Sequence, residues 1–374
     1  PEIRSMEGAI FVMSFVLYPY IYMTTRASFL TVPISFFQTS LIYGRSSFFS
    51  VALPLARPGI IAGLALVLME TVSDFGTVEY FALETLTLGV FNVWLGMNSL
   101  SGASQISSVL FVFVVVLLTI EYLARRKQRF HEKSSGQNML ESKSTSNFKK
   151  VVCFIVCITP IVIGFVIPVS VLLNFVFSGF SIIDFTQIFY TSFFSITLAL
   201  VGAFFVMLAS IFLILISQYK SNNFQKSLIF LASCGYALPG TILAVGMVIF
   251  LGWINKYLHL HLSYVAGGFI VLIFAYVVRF LAVGNASIRS GILKIHPNAM
   301  DASLTMGAGF YRGAKVVIMP LIFSNILIGG ILVFVDILKE LPITLLLRPF
   351  NFETLATYVY QYASDELLQE SSFA

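Results

Sequence analysis

The chain has 374 residues, of which 58% are hydrophobic, 15% aromatic and 10% charged, with a mean hydropathy of +0.93. A soluble domain carries about 25% charged residues, so this composition excludes water as the main solvent, and the lack of short alternating polar and apolar segments excludes an outer-membrane barrel. The formal net charge of +5 would suit nucleic acid, but the placement of the basic residues accounts for it differently.

Apolar runs long enough to cross a bilayer, about 20 residues each, recur from one end to the other. The predicted spans in chain order are Gly8 to Thr24, Pro58 to Val72, Ile106 to Leu123, Val151 to Phe177, Phe193 to Ser217, Leu228 to Trp253, Tyr264 to Gly284 and Val316 to Leu338. The second is short, so its outer end is expected to run on through Asp74. Between the third and fourth lies a stretch rich in Ser, Asn and Lys, which reads as a flexible linker over 125–150. It separates a first half, 1–124, from a second, 151–374. The cysteines (Cys153, Cys157 and Cys234) sit in apolar runs and read as small packing residues, neither a disulfide framework nor a zinc site. Pro239-Gly240 breaks the sixth span, and reads either as a kink or as a point of close packing at the glycine.

Basic residues set the sidedness. Arg26, Arg45 and Arg57 share one loop and Arg125 to Lys150 form a second basic stretch. Lys220 and Lys226 make a third, and Arg289, Lys294, Arg312 and Lys315 a fourth. If every span crosses once, all four lie on one side, the cytoplasmic one. Segment 74–105 on the other side holds no Lys or Arg, and Arg4, Lys256, Lys339 and Arg348 fall outside the cytoplasmic set. Positive charge is therefore topological, and no nucleic-acid partner is expected.

The two halves repeat one unit. Leu53-Pro54 leads into an apolar span that reaches Glu70 and Asp74, and Met319-Pro320 leads into one that reaches Asp336 and Glu340 at the same offsets. Glu84-Thr85-Leu86 is answered by Glu353-Thr354-Leu355. Both copies have the same sidedness, so the repeat is parallel, about an axis along the membrane normal. Each acid pair is spaced i, i+4 and shares a helix face. Carboxylates at membrane depth are costly and face cavities, so Glu70, Asp74, Asp336 and Glu340 are the candidate lining for a small cation. The alternative is that they are solvated helix ends, or that Glu340 pairs with Lys339 and Arg348. His259 and His261 form an H-x-H without a carboxylate nearby, so no firm metal site is read from the sequence.

One cytoplasmic loop carries a more specific signal. Asp301-Ala302-Ser303-Leu304-Thr305-Met306-Gly307 is followed, nine residues on, by Val317-Ile318-Met319-Pro320. This resembles the EAA loop of ABC importer permeases, with Asp301 for the Glu and Met319 for the Leu. In the first half, Gln38-Thr39-Ser40-Leu41-Ile42-Tyr43-Gly44 keeps the Gly, while Gln38 replaces the acid and three residues are missing between Gly44 and Pro54. A shortened coupling helix or asymmetric docking is expected there. With the segments 53–58, 69–81, 235–241 and 339–356, the chain looks like the fused two-half permeases of ferric-iron importers, with thiamine permeases as relatives.

That resemblance implies an all-α transmembrane fold of two pseudo-symmetric type I importer halves, with further helices before Pro1 and after Ala374. It also implies a multi-pass protein of the bacterial inner membrane, taking cargo from a periplasmic binding protein. No G-x-x-x-x-G-K-[ST] occurs, so ATP and Mg are expected on a separate ATPase dimer, and the chain is not expected to be an enzyme. Asp301, Ala302, Ser303, Gly307 and Pro320, with Gln38, Gly44 and Pro54, are the implied coupling residues. The alternative from another class, an ion-driven transporter, would place charged residues midway through several spans.

Overall fold

Among the described residues, eight helices of the computed structural model are long and apolar enough to cross a bilayer, the number read from the apolar runs. The structure describes residues 4–126, 146–179, 185–219, 234–258, 264–295 and 305–374, apart from 31 and 33, with the isolated positions 229, 231, 232, 299 and 303. Among the described residues there is no strand. The fold is all-α and transmembrane, as a bilayer demands of a chain that must satisfy its backbone internally.

The chain divides into two compact units, Pro1–Thr85 with Val109–Ser178, and Leu86–Ser108 with Gly179–Ala374. The first holds α1 (Met6–Leu30), α2 (Ile34–Ile42), α3 (Leu53–Ser73) and α4 (Gly76–Tyr80). It also holds α7 (Asn147–Ile161) and α8 (Ile167–Gly179), up to Ser178. Helix α6 (Leu100–Arg126) gives its first turns to the second unit and the rest to the first. The second unit adds α5 (Leu86–Phe91), α9 (Phe185–Tyr219), α10 (Gly240–Leu258), α11 (Tyr264–Ile292) and α12 (Phe310–Gly313). It ends with α13 (Met319–Leu338), α14 (Pro342–Leu347), α15 (Leu355–Ser364) and α16 (Leu368–Phe373). This division by packing differs from the repeat halves: segment 86–108 packs with the second unit, and α7 and α8, from beyond the linker, pack with the first.

Proline explains the local form of three spans. Five-residue π-helical turns occupy Phe48–Ala52, Val162–Val166 and Ala314–Ile318, each followed by one residue and then Pro54, Pro168 or Pro320. A proline lacks the N–H that would close an α-turn and its ring crowds the preceding carbonyl. The backbone widens by one residue, and Leu53 N–H donates to the Phe48 carbonyl, Ile167 N–H to that of Val162, and Met319 N–H to that of Ala314.

Packing differs between the units. In the first, α1 and α3 meet through the small residues Gly59 and Gly63 of a G-x-x-x-G. A methyl at Gly59 would strike Ser28, and one at Gly63 would lie 2.6 Å from the Ile21 Cα. Such close backbone approach is how helices associate where lipid removes the hydrophobic drive between them. In the second, Val206, Leu272, Tyr276, Phe280, Ile322 and Val333 form a buried core between α9, α11 and α13. Helix α7 buries no residue at all.

Three expectations are corrected. Helix α10 begins at Gly240, after a 3₁₀ turn at Cys234–Ala237, so Pro239-Gly240 opens a helix where the sequence suggested a kink within one. Helix α3 stops at Ser73, and Asp74 is already extended. Cys153 and Cys157 are exposed on α7, while Cys234 is half-buried. His259, His261, Lys220, Lys226, Asp301, Ala302 and residues 127–145 of the linker lie outside the described residues.

Candidate functional site

The two predicted coupling loops share one turn. Ser40 and Ser303 are both buried, and Gly44 and Gly307 both adopt left-handed backbone, with φ of +61° and +82°. In each loop the residue after the glycine reaches back five positions: Arg45 N–H donates to the Ser40 carbonyl at 3.0 Å, and Ala308 N–H to the Ser303 carbonyl at 3.1 Å. This is a glycine-terminated helix end, in which the left-handed residue lets the chain satisfy its last carbonyls. A methyl on either glycine would meet nothing within 4 Å, so both turns stand in open space. Leu41, Ile42, Tyr43 and Met306 are exposed around them, and Gln38 is exposed on α2.

The three residues missing from the first loop are absorbed beyond the glycine. In the second copy α12 precedes the π-helical turn at Ala314–Ile318; in the first, a single helical residue, Ser47, precedes the turn at Phe48–Ala52. The deletion shortens that helical lead-in and leaves α2 and its terminal turn in place. The left-handed positions otherwise recur in pairs as well, Ala82 with Asn351 and Asn98 with Glu366.

The acid pairs occupy equivalent backbone sites. Asp74 Oδ1 accepts from Thr77 N–H at 3.0 Å and Val78 N–H at 3.2 Å, and Oδ2 accepts from the Thr77 hydroxyl. Glu340 Oε1 accepts from Ile343 N–H at 3.2 Å. Each carboxylate therefore caps the short helix that follows its span, α4 in one copy and α14 in the other, where the orphan N–H groups point.

Their surroundings differ. Glu340 is buried and its Oε2 lies 3.4 Å from Arg279 Nε, while Arg279 Nη1 donates to the Leu238 carbonyl at 3.4 Å. A methyl on Gly240 would come within 2.7 Å of both Arg279 Nη1 and Glu340 Oε1, so the start of α10 closes over the pair. Next to it the Tyr276 and Thr344 hydroxyls share a 2.6 Å hydrogen bond. At 1.5 Å per residue, Arg279 stands about 20 Å along α11 from Ile292. Asp336 pairs instead with Lys339 at 2.9 Å, and Arg348 with Glu353 at 3.7 Å. The alternative of Glu340 pairing with Lys339 and Arg348 is thus replaced by Arg279. That residue escaped the charge count because it lies alone in an apolar run.

Asp74 and Glu70 line an 80 Å³ cavity with Val12, Met13, Val16, Leu17, Thr71 and Thr77. The Tyr20 hydroxyl donates to Glu70 at 3.3 Å. One residue past its span, Asp74 has its carboxyl raised above the usual range by burial, against the hydrogen bonds from Thr77 and Val78 that pull it back. Among the described residues no three His, Cys, Asp or Glu side chains lie close enough together to hold a metal ion.

The chain is 22% identical over 366 residues to the "Fe(3+)-transport system permease protein FbpB 2" of Haemophilus influenzae, an alignment covering 96% of this chain and 71% of that one. It is 28% identical over 139 residues to the "Molybdenum transport system permease protein ModB" of the same organism, covering 33% of this chain and 59% of that protein. No family model matches. These relatives bear out the resemblance to ABC importer permeases. The chain is a multi-pass permease subunit of the inner membrane, and it is not an enzyme.

Proposed function

We propose that this permease passes ferric iron inward from a periplasmic binding protein, driven by a separate ATPase dimer that docks on the loops at Gly44 and Gly307. The observation that carries the coupling is the shared form of the loops. Each has a buried serine, a left-handed glycine, exposed apolar residues and a π-helical step into a span. A turn of that kind at the head of a long helix transmits a push along the helix axis. ATP and Mg belong to the ATPase in this reading, and the chain supplies alternating access through its repeat halves, 1–124 and 151–374, joined by the linker 125–150.

Iron is favoured over thiamine by the ferric permease that matches 96% of the chain. The candidate pathway acids are Glu70 and Asp74 of the first half and Asp336 and Glu340 of the second. An ion-driven mechanism would call for ionisable groups midway through several spans, and Arg279, which does lie midway, is closed against Glu340. The test uses the full-length permease with its ATPase in lipid discs, measuring ATP hydrolysis as iron-loaded or thiamine-loaded binding protein is added. Stimulation by the iron-loaded form alone is expected. Stimulation by the thiamine-loaded form alone would replace the cargo, and failure to bind any ATPase would remove the coupling reading.

A further inference from the structure

Beyond the acid turns the two copies differ by a short insertion. Glu84 comes ten residues after Asp74, whereas Glu353 comes thirteen after Glu340. The left-handed residues Ala82 and Asn351 each stand two positions before those glutamates. Phe81 and Leu347, both buried, close the short helices α4 and α14. The three extra residues are therefore Arg348, Pro349 and Phe350. Helix α13 leads away from the loop at Gly307 and is long enough to cross the bilayer, so the insertion lies on the face opposite to that loop.

Most of the insertion is built into the fold. Arg348 Nη1 donates to the Phe352 carbonyl and to the Thr357 hydroxyl, each at 3.2 Å, and lies 3.7 Å from Glu353. A methyl on Gly268 of α11 would lie 3.0 Å from Pro349. Phe352 N–H donates back to the Pro349 carbonyl, and the Phe352 ring meets Phe194 of α9 and Phe269 of α11 edge-on. Phe350, at the tip of that turn, is 92% exposed, more than any other large apolar side chain among the described residues. The exposed apolar side chains of α13 lie between 50% and 62%, shaded by their neighbours on the helix, so Phe350 stands clear of the surface. Polar groups surround it: Asn351 is exposed, and Arg348 and Glu353 are half-buried. A bilayer anchor would sit among lipid-facing apolar side chains, whereas Pro349 and Phe352 beside this one are buried. An aromatic tip with a polar surround, on backbone braced by α9, α11 and α15, has the anatomy of a protein-binding hot spot and loses little freedom on docking.

We propose that Phe350 is a docking anchor for the periplasmic binding protein, entering an apolar pocket of that partner, and that the second half alone supplies it. The occupant follows from the place: of the partners in the function proposed above, on which this inference rests, only the binding protein reaches the face opposite to the coupling loops. The first copy lacks the tripeptide and passes directly from Phe81, which is buried, to Ala82. The two halves therefore hold the binding protein unequally.

The experiment uses the full-length permease with its ATPase in lipid discs, together with purified iron-loaded binding protein. With p-benzoylphenylalanine in place of Phe350, irradiation is expected to join the permease to the binding protein. Labelling of lipid or of the permease itself, with no binding-protein adduct, overturns the anchor. In equilibrium binding, Phe350→Ala is expected to weaken association with the binding protein by roughly tenfold or more with the thermal midpoint unchanged, whereas Phe350→Trp keeps it. Equal affinity of Phe350→Ala and wild type overturns the anchor and leaves the proposed function standing. Binding protein that associates with neither removes the proposed function and the anchor with it.

Discussion

Glu340 and Asp74 occupy the same turn of the repeat, and each caps the short helix beyond its span. One is closed by Arg279, Leu238 and Gly240; the other borders an open cavity lined by Val16. The backbone turn is common to both copies while the side chains packed around it differ. Turn geometry depends on local rules such as proline, capping and left-handed residues, which each copy satisfies by itself. The surroundings of each carboxylate depend on side chains from other helices, which local rules do not fix. The second site therefore reads as a fixed joint between α10, α11 and α13.

The largest expected effect separates the two sites. Arg279→Met leaves a buried carboxylate uncompensated and should destabilise the permease by about 3–5 kcal/mol, with Arg279→Met/Glu340→Met recovering most of the loss. Asp74→Asn, which gives up no ion pair, should cost about 1 kcal/mol. Thermal unfolding in detergent measures all three, and equal losses for Arg279→Met and Asp74→Asn would erase the distinction. Next is packing in the first unit: Gly63→Leu forces α1 from α3 and should cost about 1–3 kcal/mol. Gly89→Ala, where nothing lies within 4 Å, should stay within about 1 kcal/mol and on the stabilising side.

The loops give a third comparison. Gly44→Val and Gly307→Val each place a β-branched residue in left-handed backbone and should cost about 1–2 kcal/mol. Both should also lower ATPase association measured by pull-down; loss at Gly307 alone would show the first loop to be idle. The smallest effect is at the prolines. Pro54→Ala and Pro320→Ala restore a donor and should let the π-helical turns revert to α with a stability change of roughly 1 kcal/mol or less. The check is a structure of either variant, in which retention of the wide turn would mean that packing, not proline, sets it.

Much of the fold was legible because its signals are local. The spans follow from apolar runs, the repeat from Leu53-Pro54 and Met319-Pro320, and the loops from the spacing of Gly307 to Pro320. What sequence missed depends on distant partners. Arg279 reads as a stray charge until α13 brings Glu340 to it, and Pro239-Gly240 reads as a kink until the carbonyl of Leu238 is seen facing that arginine. The cavity beside Asp74 was illegible for a related reason, since Val12, Val16 and Leu17 reach it from α1, far away in the chain.

The most direct test is uptake of labelled ferric iron into proteoliposomes that hold the full-length permease and its ATPase, with ATP inside on the ATPase face and iron-loaded binding protein outside. Uptake that needs ATP and is lost when Gly44 and Gly307 are both replaced by valine is the expected result. ATP hydrolysis and binding-protein docking without any iron uptake would contradict the assignment of ferric iron as cargo.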